Sequence, residues 1–432
     1  MTVEITKYPD RSQWPTLMRR AVAETQELHD TVASIMAQVR EQGDKALREL
    51  ALKYDGVQLG DLAVSPAEMQ QACDQVSQEL KTAIDQAAAN ITTFHKAQRM
   101  HALEVETSPG VTCCQRAVPI TRVGLYIPGG NSPLFSTVLM LGLPAHIAGC
   151  SQVVMCTPCG RDGKVNAAIL YAARKCGISR IYKSGGAQAI AAMAWGTETI
   201  PRVSKIFGPG NRFVMEAKMQ AQYNKVAIDM PAGPSEVMVV ADGNADLRYV
   251  ASDFLSQAEH GPDSQSTLLT THEALASRLP QVIDELLATL PRQEMIKKSL
   301  GHSHIIVLHT LDEVIDYVNA YAPEHLILNC EECEALARRV VNAGSVFLGP
   351  YSPESAGDYA SGTNHTLPTH GYATAYNGVN LDSYCRKITF QHLTEEGIRH
   401  IGRAVELMAE AEQLDAHKNA MTVRMKTLNI EP

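Results

Sequence analysis

Apolar positions change their spacing along this chain. Through the first hundred residues they recur every three or four positions between polar stretches, over residues 21–39, 45–54, 65–79 and 83–97, with few glycines to interrupt them. That period predicts a helical N-terminal region spanning residues 1–110. From Val111 the texture changes. Short apolar runs at 122–127, 152–157, 180–183 and 203–207 read as strands, and each is followed by a helical stretch, at 134–148, 165–176, 186–195 and 211–222. After a loop at 230–234 the alternation resumes, with strands at 236–241, 266–270, 305–308, 326–329 and 345–348 and with intervening helices such as 246–260 and 311–321. Strand–helix alternation predicts parallel sheets with crossover helices. The fold class is therefore α/β, with two Rossmann-like parallel-sheet units that read as distant duplicates, although no fixed-period repeat is visible. A glycine- and serine-rich loop at 349–370 precedes a polar helical stretch, 394–429. A helical tail with little core of its own packs on something else, and a partner subunit is one candidate.

Composition narrows the class. A chain of 432 residues exceeds the roughly 250–300 residues at which single cores stop growing. Apolar content of 45% and charged content of 20% fit a globular enzyme. The net charge of −9 comes with no basic block, which removes the electrostatic footprint of nucleic-acid binding. No apolar run reaches the ~18–20 residues of a membrane span, and residues 1–7 lack a charged-then-apolar signal pattern. The expectation is a cytoplasmic enzyme acting on a small molecule. The ten cysteines, including adjacent Cys113 and Cys114 and the Cys156–Cys159 CxxC, read as reduced thiols, the CxxC pair lying in a loop.

Several segments could carry chemistry. In Ser256-Gln257-Ala258-Glu259-His260-Gly261-Pro262-Asp263, Gln257 and His260 stand three apart near the end of a helix that Asp246 caps and Gly261-Pro262 terminates. Residues i and i+3 share a helix face, so a carboxamide oxygen and an imidazole can meet one metal, with zinc or a neighbouring first-row ion suited to such donors. Alone, such a pair is more often made of capping or solvated groups, and a metal site would need a carboxylate and a second histidine from elsewhere. Glycine turns at Gly129-Gly130, Gly185-Gly186 and Gly208-Pro209-Gly210 each precede a helix, where backbone N–H groups can cradle a pyrophosphate. None is a GxGxxG, so tight βα connections remain an alternative. Glu324-His325 opens an apolar strand, and an imidazole beside a carboxylate can divide proton transfer and water activation between them. Asp358 lies among small residues in the 349–370 loop, with His365 as a competing ligand. Glu412 and His417 flank a helix break where Asp415 reads as a cap.

Taken together, these segments resemble histidinol dehydrogenases. The carrying motifs are Gly124-Leu125-Tyr126-Ile127-Pro128-Gly129-Gly130, Gly185-Gly186-Ala187-Gln188, Gly208-Pro209-Gly210-Asn211, Asp229-Met230-Pro231-Ala232-Gly233-Pro234-Ser235-Glu236, the 256–263 run, Pro323-Glu324-His325-Leu326, residues 352–365, and Ala416-His417-Lys418-Asn419-Ala420. They appear in order over nearly the whole chain from about residue 25. The resemblance implies zinc-dependent oxidation of L-histidinol to L-histidine through bound L-histidinaldehyde, with two NAD⁺ reduced. It implies Gln257, His260, Asp358 and His417 as zinc ligands and Glu324 and His325 as the acid–base pair. Ser235, Glu412 and His325 would contact substrate alongside the metal ligands, and Tyr126, Gln188 and Asn211 would contact NAD. It further implies a homodimer whose tails are exchanged, so that Glu412 and His417 act in the neighbouring site. The corresponding domain plan joins 111–130 with 235–370 in a first α/β domain that bears the acid–base pair and most metal ligands. It assigns 131–234 to a second domain on the NAD side and 371–432 to the exchanged tail. A paralogous zinc/NAD dehydrogenase for another small alcohol, and a zinc hydrolase in which Glu324 activates water, are the alternatives.

Overall fold

The computed structural model describes residues 3–20, 25–129 and 132–430. Two parallel sheets organise the chain, as the strand–helix alternation predicts. The first has five strands in the spatial order Arg180–Lys183, Gln152–Thr157, Arg122–Tyr126, Lys205–Phe207, Ala227–Ile228. The second has six, in the order Glu4–Lys7, His304–Val307, Gln265–Thr270, Glu236–Ala241, His325–Asn329, Ser345–Leu348. If Glu4–Lys7 is set aside, both sheets follow the order 3-2-1-4-5 when each sheet's strands are numbered along the chain.

The expected domain boundaries need correction. Strand Arg122–Tyr126 pairs on both sides within the five-stranded sheet, so it belongs with 131–234 and not with 235–370. Strand Val111–Pro119 joins neither parallel sheet. It is the centre of a three-stranded antiparallel sheet between Leu103–Ser108 and Cys385–Leu393. The N-terminal region is not a separate helical unit. Glu4–Lys7 is an edge strand of the six-stranded sheet. Helix Gln26–Gln42 joins the core on one face of the five-stranded sheet through Val32, Met36 and Val39, packing on helices Gly186–Trp195 and Arg212–Gln222, and Gln78–Ala97 joins the core on the other through Ile84, Ala88 and Ile91, packing on Phe135–Ala148. The first part of the expected helix at 21–39 lies outside the described residues. The helix expected at 65–79 stops at Gln75, and Ser77 caps the next one by accepting from Leu80 N. Residues 371–384 are not tail either, because Tyr384 is fully buried and stacks on Phe207 at 4.0 Å.

The six-stranded sheet is likewise sandwiched. Phe254, Leu279 and Ile296 pack on one face, and Trp14, Tyr317 and Val318 on the other. Asp246 caps helix Leu247–Ala258 by accepting from Arg248 N at 2.8 Å, as expected. The tail is two helices, Glu395–Ala411 and Asp415–Thr427. Leu414, not Asp415, holds the cap position of the second, and Asp415 opens its first turn without a side-chain cap. All ten cysteines are free thiols, and Cys156 is buried inside a strand, not in a loop. Among the described residues no helix is long and apolar enough to cross a membrane.

Candidate active site

Between the two parallel sheets lies a cavity of about 620 Å³, within the usual range for a small-molecule pocket. One wall is built from the C-terminal side of the five-stranded sheet, including Pro128, Gly208 and Asn211. The other comes from the N-terminal side of the six-stranded sheet and its loops, including Ser235, Glu324 and His325. His260 and Asp358 also line it.

His325 is the first residue of its strand, and Glu324 directly precedes it. Both are buried, which is tolerable only because each is held by partners. Glu324 Oε2 accepts from Glu236 N at 2.9 Å. His325 Nδ1 lies 3.3 Å from the Glu236 carbonyl oxygen and 3.6 Å from Glu324 Oε2. A carbonyl can only accept, so in the neutral ring this contact places the hydrogen on Nδ1 and leaves the lone pair on Nε2. Nε2 is buried and has no hydrogen-bond partner; its nearest charge is Asp358 Oδ1 at 3.5 Å.

Electrostatics tie the groups together. Burial pushes the Glu324 carboxyl up to about 8, against the opposing pull of His325. Burial likewise lifts Glu354 to about 8. For His325, burial disfavours the charged ring, but Glu354, Glu324 and Asp358 override it and raise the imidazole to about 10. Burial also opposes ionisation of Asp358, yet the adjacent His325 keeps that carboxyl below the ordinary value. His260 presents an exposed edge at the cavity mouth, while the protein packed around the rest of its ring lowers its pKa.

Ligating atoms of His260, Glu354 and Asp358 lie within 4.8 Å of one another, close enough to share one cation. Two of the three were expected. Glu354 was missed, although Glu354 and Asp358 stand four apart on helix Glu354–Tyr359 and so share a face. Gln257 is fully buried. With its carboxamide oriented to satisfy both neighbours, its nitrogen donates to Glu354 and its oxygen accepts from Glu236 N at 2.9 Å. Gln257 thus adjoins the cluster, with its oxygen already engaged by a backbone donor. His365 is no competing ligand in this arrangement, because Nδ1 contacts the Asp358 carbonyl oxygen at 2.9 Å and Nε2 contacts Thr137 Oγ1 at 3.1 Å. Glu412 and His417 do not line the cavity; both are exposed on the tail, and His417 lines a separate surface groove.

On the opposite wall, Tyr126 ends the strand next to Lys205–Phe207, where the strand order reverses. This switch point is the usual ligand crevice of an open α/β sheet. The Tyr126 hydroxyl accepts from Gly186 N at 3.1 Å, and Gln188 is buried two residues further along helix Gly186–Trp195. Those two residues meet at Gly186, whereas Asn211 reaches the cavity itself and caps helix Arg212–Gln222. The Gly208 turn is braced by the buried ion pair of Lys218 and Asp229: Lys218 Nζ donates to Gly208 O at 2.8 Å, and Asp229 Oδ2 accepts from Gly208 N at 2.8 Å. A Cβ at position 208 would strike the Tyr126 carbonyl oxygen, and its φ of +136° also requires glycine.

The profile of the histidinol dehydrogenase family matches residues 18–425. The chain belongs to the histidinol dehydrogenase family. It is 55% identical over 426 residues to a histidinol dehydrogenase of Bacteroides thetaiotaomicron, covering 99% of this chain and 100% of the relative. A histidinol dehydrogenase of Haemophilus influenzae is 50% identical over 414 residues, 96% of each chain. The crystal structure of histidinol dehydrogenase from Elizabethkingia anophelis superposes with a TM-score of 0.96 at 50% identity, covering 99% of both chains. Membership of this family makes the chain an oxidoreductase.

Proposed function

We propose that this chain oxidises L-histidinol to L-histidine through bound L-histidinaldehyde, using two NAD⁺ and one zinc ion per site, in a homodimer with shared active sites. The observation that carries the reading is the buried, unpartnered Nε2 of His325, set in a cavity whose facing wall is a dinucleotide-type switch point. The donor set of His260 and Asp358, with Gln257 and Glu354 adjoining, fits a divalent first-row ion. His417 of the partner subunit would complete that set. A zinc ion held by these residues would supply positive charge that orients the substrate's nitrogen donors and offsets the carboxylates that otherwise hold a proton on His325. NAD⁺, when bound at the Tyr126, Gln188 and Asn211 side, would accept a hydride in each half-reaction.

The chain's own groups handle the protons. In the first half-reaction His325 Nε2 takes the alcohol proton, while Nδ1–H stays on the Glu236 carbonyl. The aldehyde remains in the cavity beside Glu324, which draws a proton from water as the water adds to the carbonyl. Once its first proton has passed to solvent, His325 Nε2 takes a hydroxyl proton of the hydrated aldehyde as the second hydride leaves and the acid forms. Ser235 of the same chain, together with Glu412 of the partner subunit, would orient the amino alcohol, and a carboxylate suits its heterocyclic nitrogen.

Two exposed apolar regions support the dimer. The antiparallel sheet leaves Leu103, Val105, Ile388 and Phe390 exposed, and the tail leaves Leu407, Met408, Leu414 and Val423 exposed. Leu103 and Val105 lie on one face of that sheet and Ile388 and Phe390 on the other, so both faces offer large apolar side chains for a second copy to cover. The deciding experiment is the ratio of NADH formed to histidinol consumed, with and without a chelator. Two NADH per histidinol, abolished by chelation and restored by zinc, is expected; a ratio of one, or no turnover, refutes the reading.

A further inference from the structure

Three functional side chains hang on the backbone of one residue, across its two flanking peptide groups. Glu236 N donates to Glu324 and to the Gln257 carboxamide oxygen, both at 2.9 Å, and Glu236 O faces His325 Nδ1 at 3.3 Å. The side chain of the same residue is only 1% exposed and carries a carboxylate. That carboxylate is not among the cavity-lining groups and points instead into a clamp. Arg20 grips it with both prongs, Nε to Oε2 at 2.9 Å and Nη2 to Oε1 at 3.1 Å. Arg20 Nη2 also donates to the Tyr321 carbonyl at 2.8 Å, and the guanidinium lies 3.9 Å from the centre of the Tyr321 ring. The Tyr321 hydroxyl donates to Gln265 Oε1 at 2.7 Å and lies 3.2 Å from Glu236 Oε2.

A buried ion pair is weak evidence for stability, since replacing both partners with neutral groups is often harmless. What a two-pronged guanidinium–carboxylate contact supplies is direction. Glu236 opens its strand, so its φ and ψ are restrained by the sheet on one side only, the loop at 230–234 lying on the other. Fixing its side chain from the N-terminal segment fixes the plane of its peptide groups. We propose that Glu236 is a positioning residue and that its clamp by Arg20 and Tyr321 sets the orientation of the Glu324–His325 pair for proton transfer.

The inference rests on the proposed reaction, and its test separates the two. Wild-type enzyme that fails to reduce NAD⁺ with histidinol refutes the reaction itself. Given an active wild type, the neutral pair Arg20→Met/Glu236→Gln in zinc-loaded enzyme should fold and lose about tenfold in kcat, while KM for NAD⁺ stays within about twofold, because misorientation of a proton-transfer group acts on the chemical step. The single variant Arg20→Lys keeps the charge but not the fork. It should recover part of that loss, leaving kcat about threefold below wild type with an unchanged melting temperature. A folded neutral pair with wild-type kcat, or an Arg20→Lys enzyme indistinguishable from wild type, overturns the proposal. If the neutral pair does not fold, Arg20→Lys alone decides.

Discussion

The two parallel sheets share one strand order and are used at opposite ends. The five-stranded sheet offers its carboxyl edge to the cavity, through Pro128, Gly208 and Asn211. The six-stranded sheet offers its amino edge, through Ser235, Glu324 and His325. Carboxyl edges are followed by helix N-termini, whose free N–H groups favour anions such as a pyrophosphate. Amino edges receive the C-terminal ends of helices, which favour cations. Helix Leu311–Tyr321 ends just before Glu324, and helix Leu247–Ala258 ends just before His260. Duplicated topology therefore does not imply duplicated chemistry: which edge faces the cavity selects the charge it can hold.

Four experiments test that division. The largest effect belongs to the amino edge. Glu324→Gln should slow oxidation of supplied L-histidinaldehyde by 10²-fold or more, within the ~10²–10⁴ range of general acid–base catalysis, and slow alcohol oxidation much less. Equal losses in the two half-reactions would remove its water-activating role. Next, His417→Asn should weaken zinc binding about 10–100-fold, comparable to disrupting a metal-site shell. Unchanged zinc content after dialysis would strike it from the ligand set. Mixing it with Glu324→Gln should regain aldehyde oxidation if sites are shared between subunits.

On the carboxyl edge, Asn211→Ala should raise KM for NAD⁺ about tenfold and leave KM for histidinol unchanged. Loss of its helix cap costs about 1 kcal/mol of stability in addition. An equal rise in both KM values would erase the distinction between the walls. The smallest effect concerns stability. Burial raises Asp253, on the helix that delivers Gln257, to about 7. A carboxyl with a raised folded-state pKa contributes stability below its unfolded pKa, and that contribution is lost as pH rises through about 7. Asp253→Asn should therefore stabilise the chelator-treated protein by roughly 2 kcal/mol at pH 8 and by little at pH 4. A pH-independent difference in urea unfolding would contradict this.

Much of the fold was legible because it is written in local periods. Apart from Ala227–Ile228, which no predicted strand covers, the strands after Val111 in both parallel sheets fall within a residue or two of the positions their apolar runs predict. The antiparallel sheet was missed for a physical reason: its two outer strands are largely exposed, its central one is only half-buried, and no buried run announces them. Leu103-Glu104-Val105-Glu106 does alternate with period two, a signal overlooked beside the helices that precede it. Glu4–Lys7 is too short for its period to speak, and only pairing with His304–Val307 makes it a strand.

The sequence by itself determined the class of fold, the family, and the residue types available for proton transfer and ligation, since these depend on short-range pattern and on motifs in order. Tertiary structure alone decided that Glu354 joins His260 and Asp358, that both nitrogens of His365 are engaged, and that Arg20 reaches Glu236 across more than two hundred residues. Each of those outcomes depends on a distance between chain-remote groups in a buried environment, where burial and neighbouring charge, rather than residue identity, set what a side chain can do.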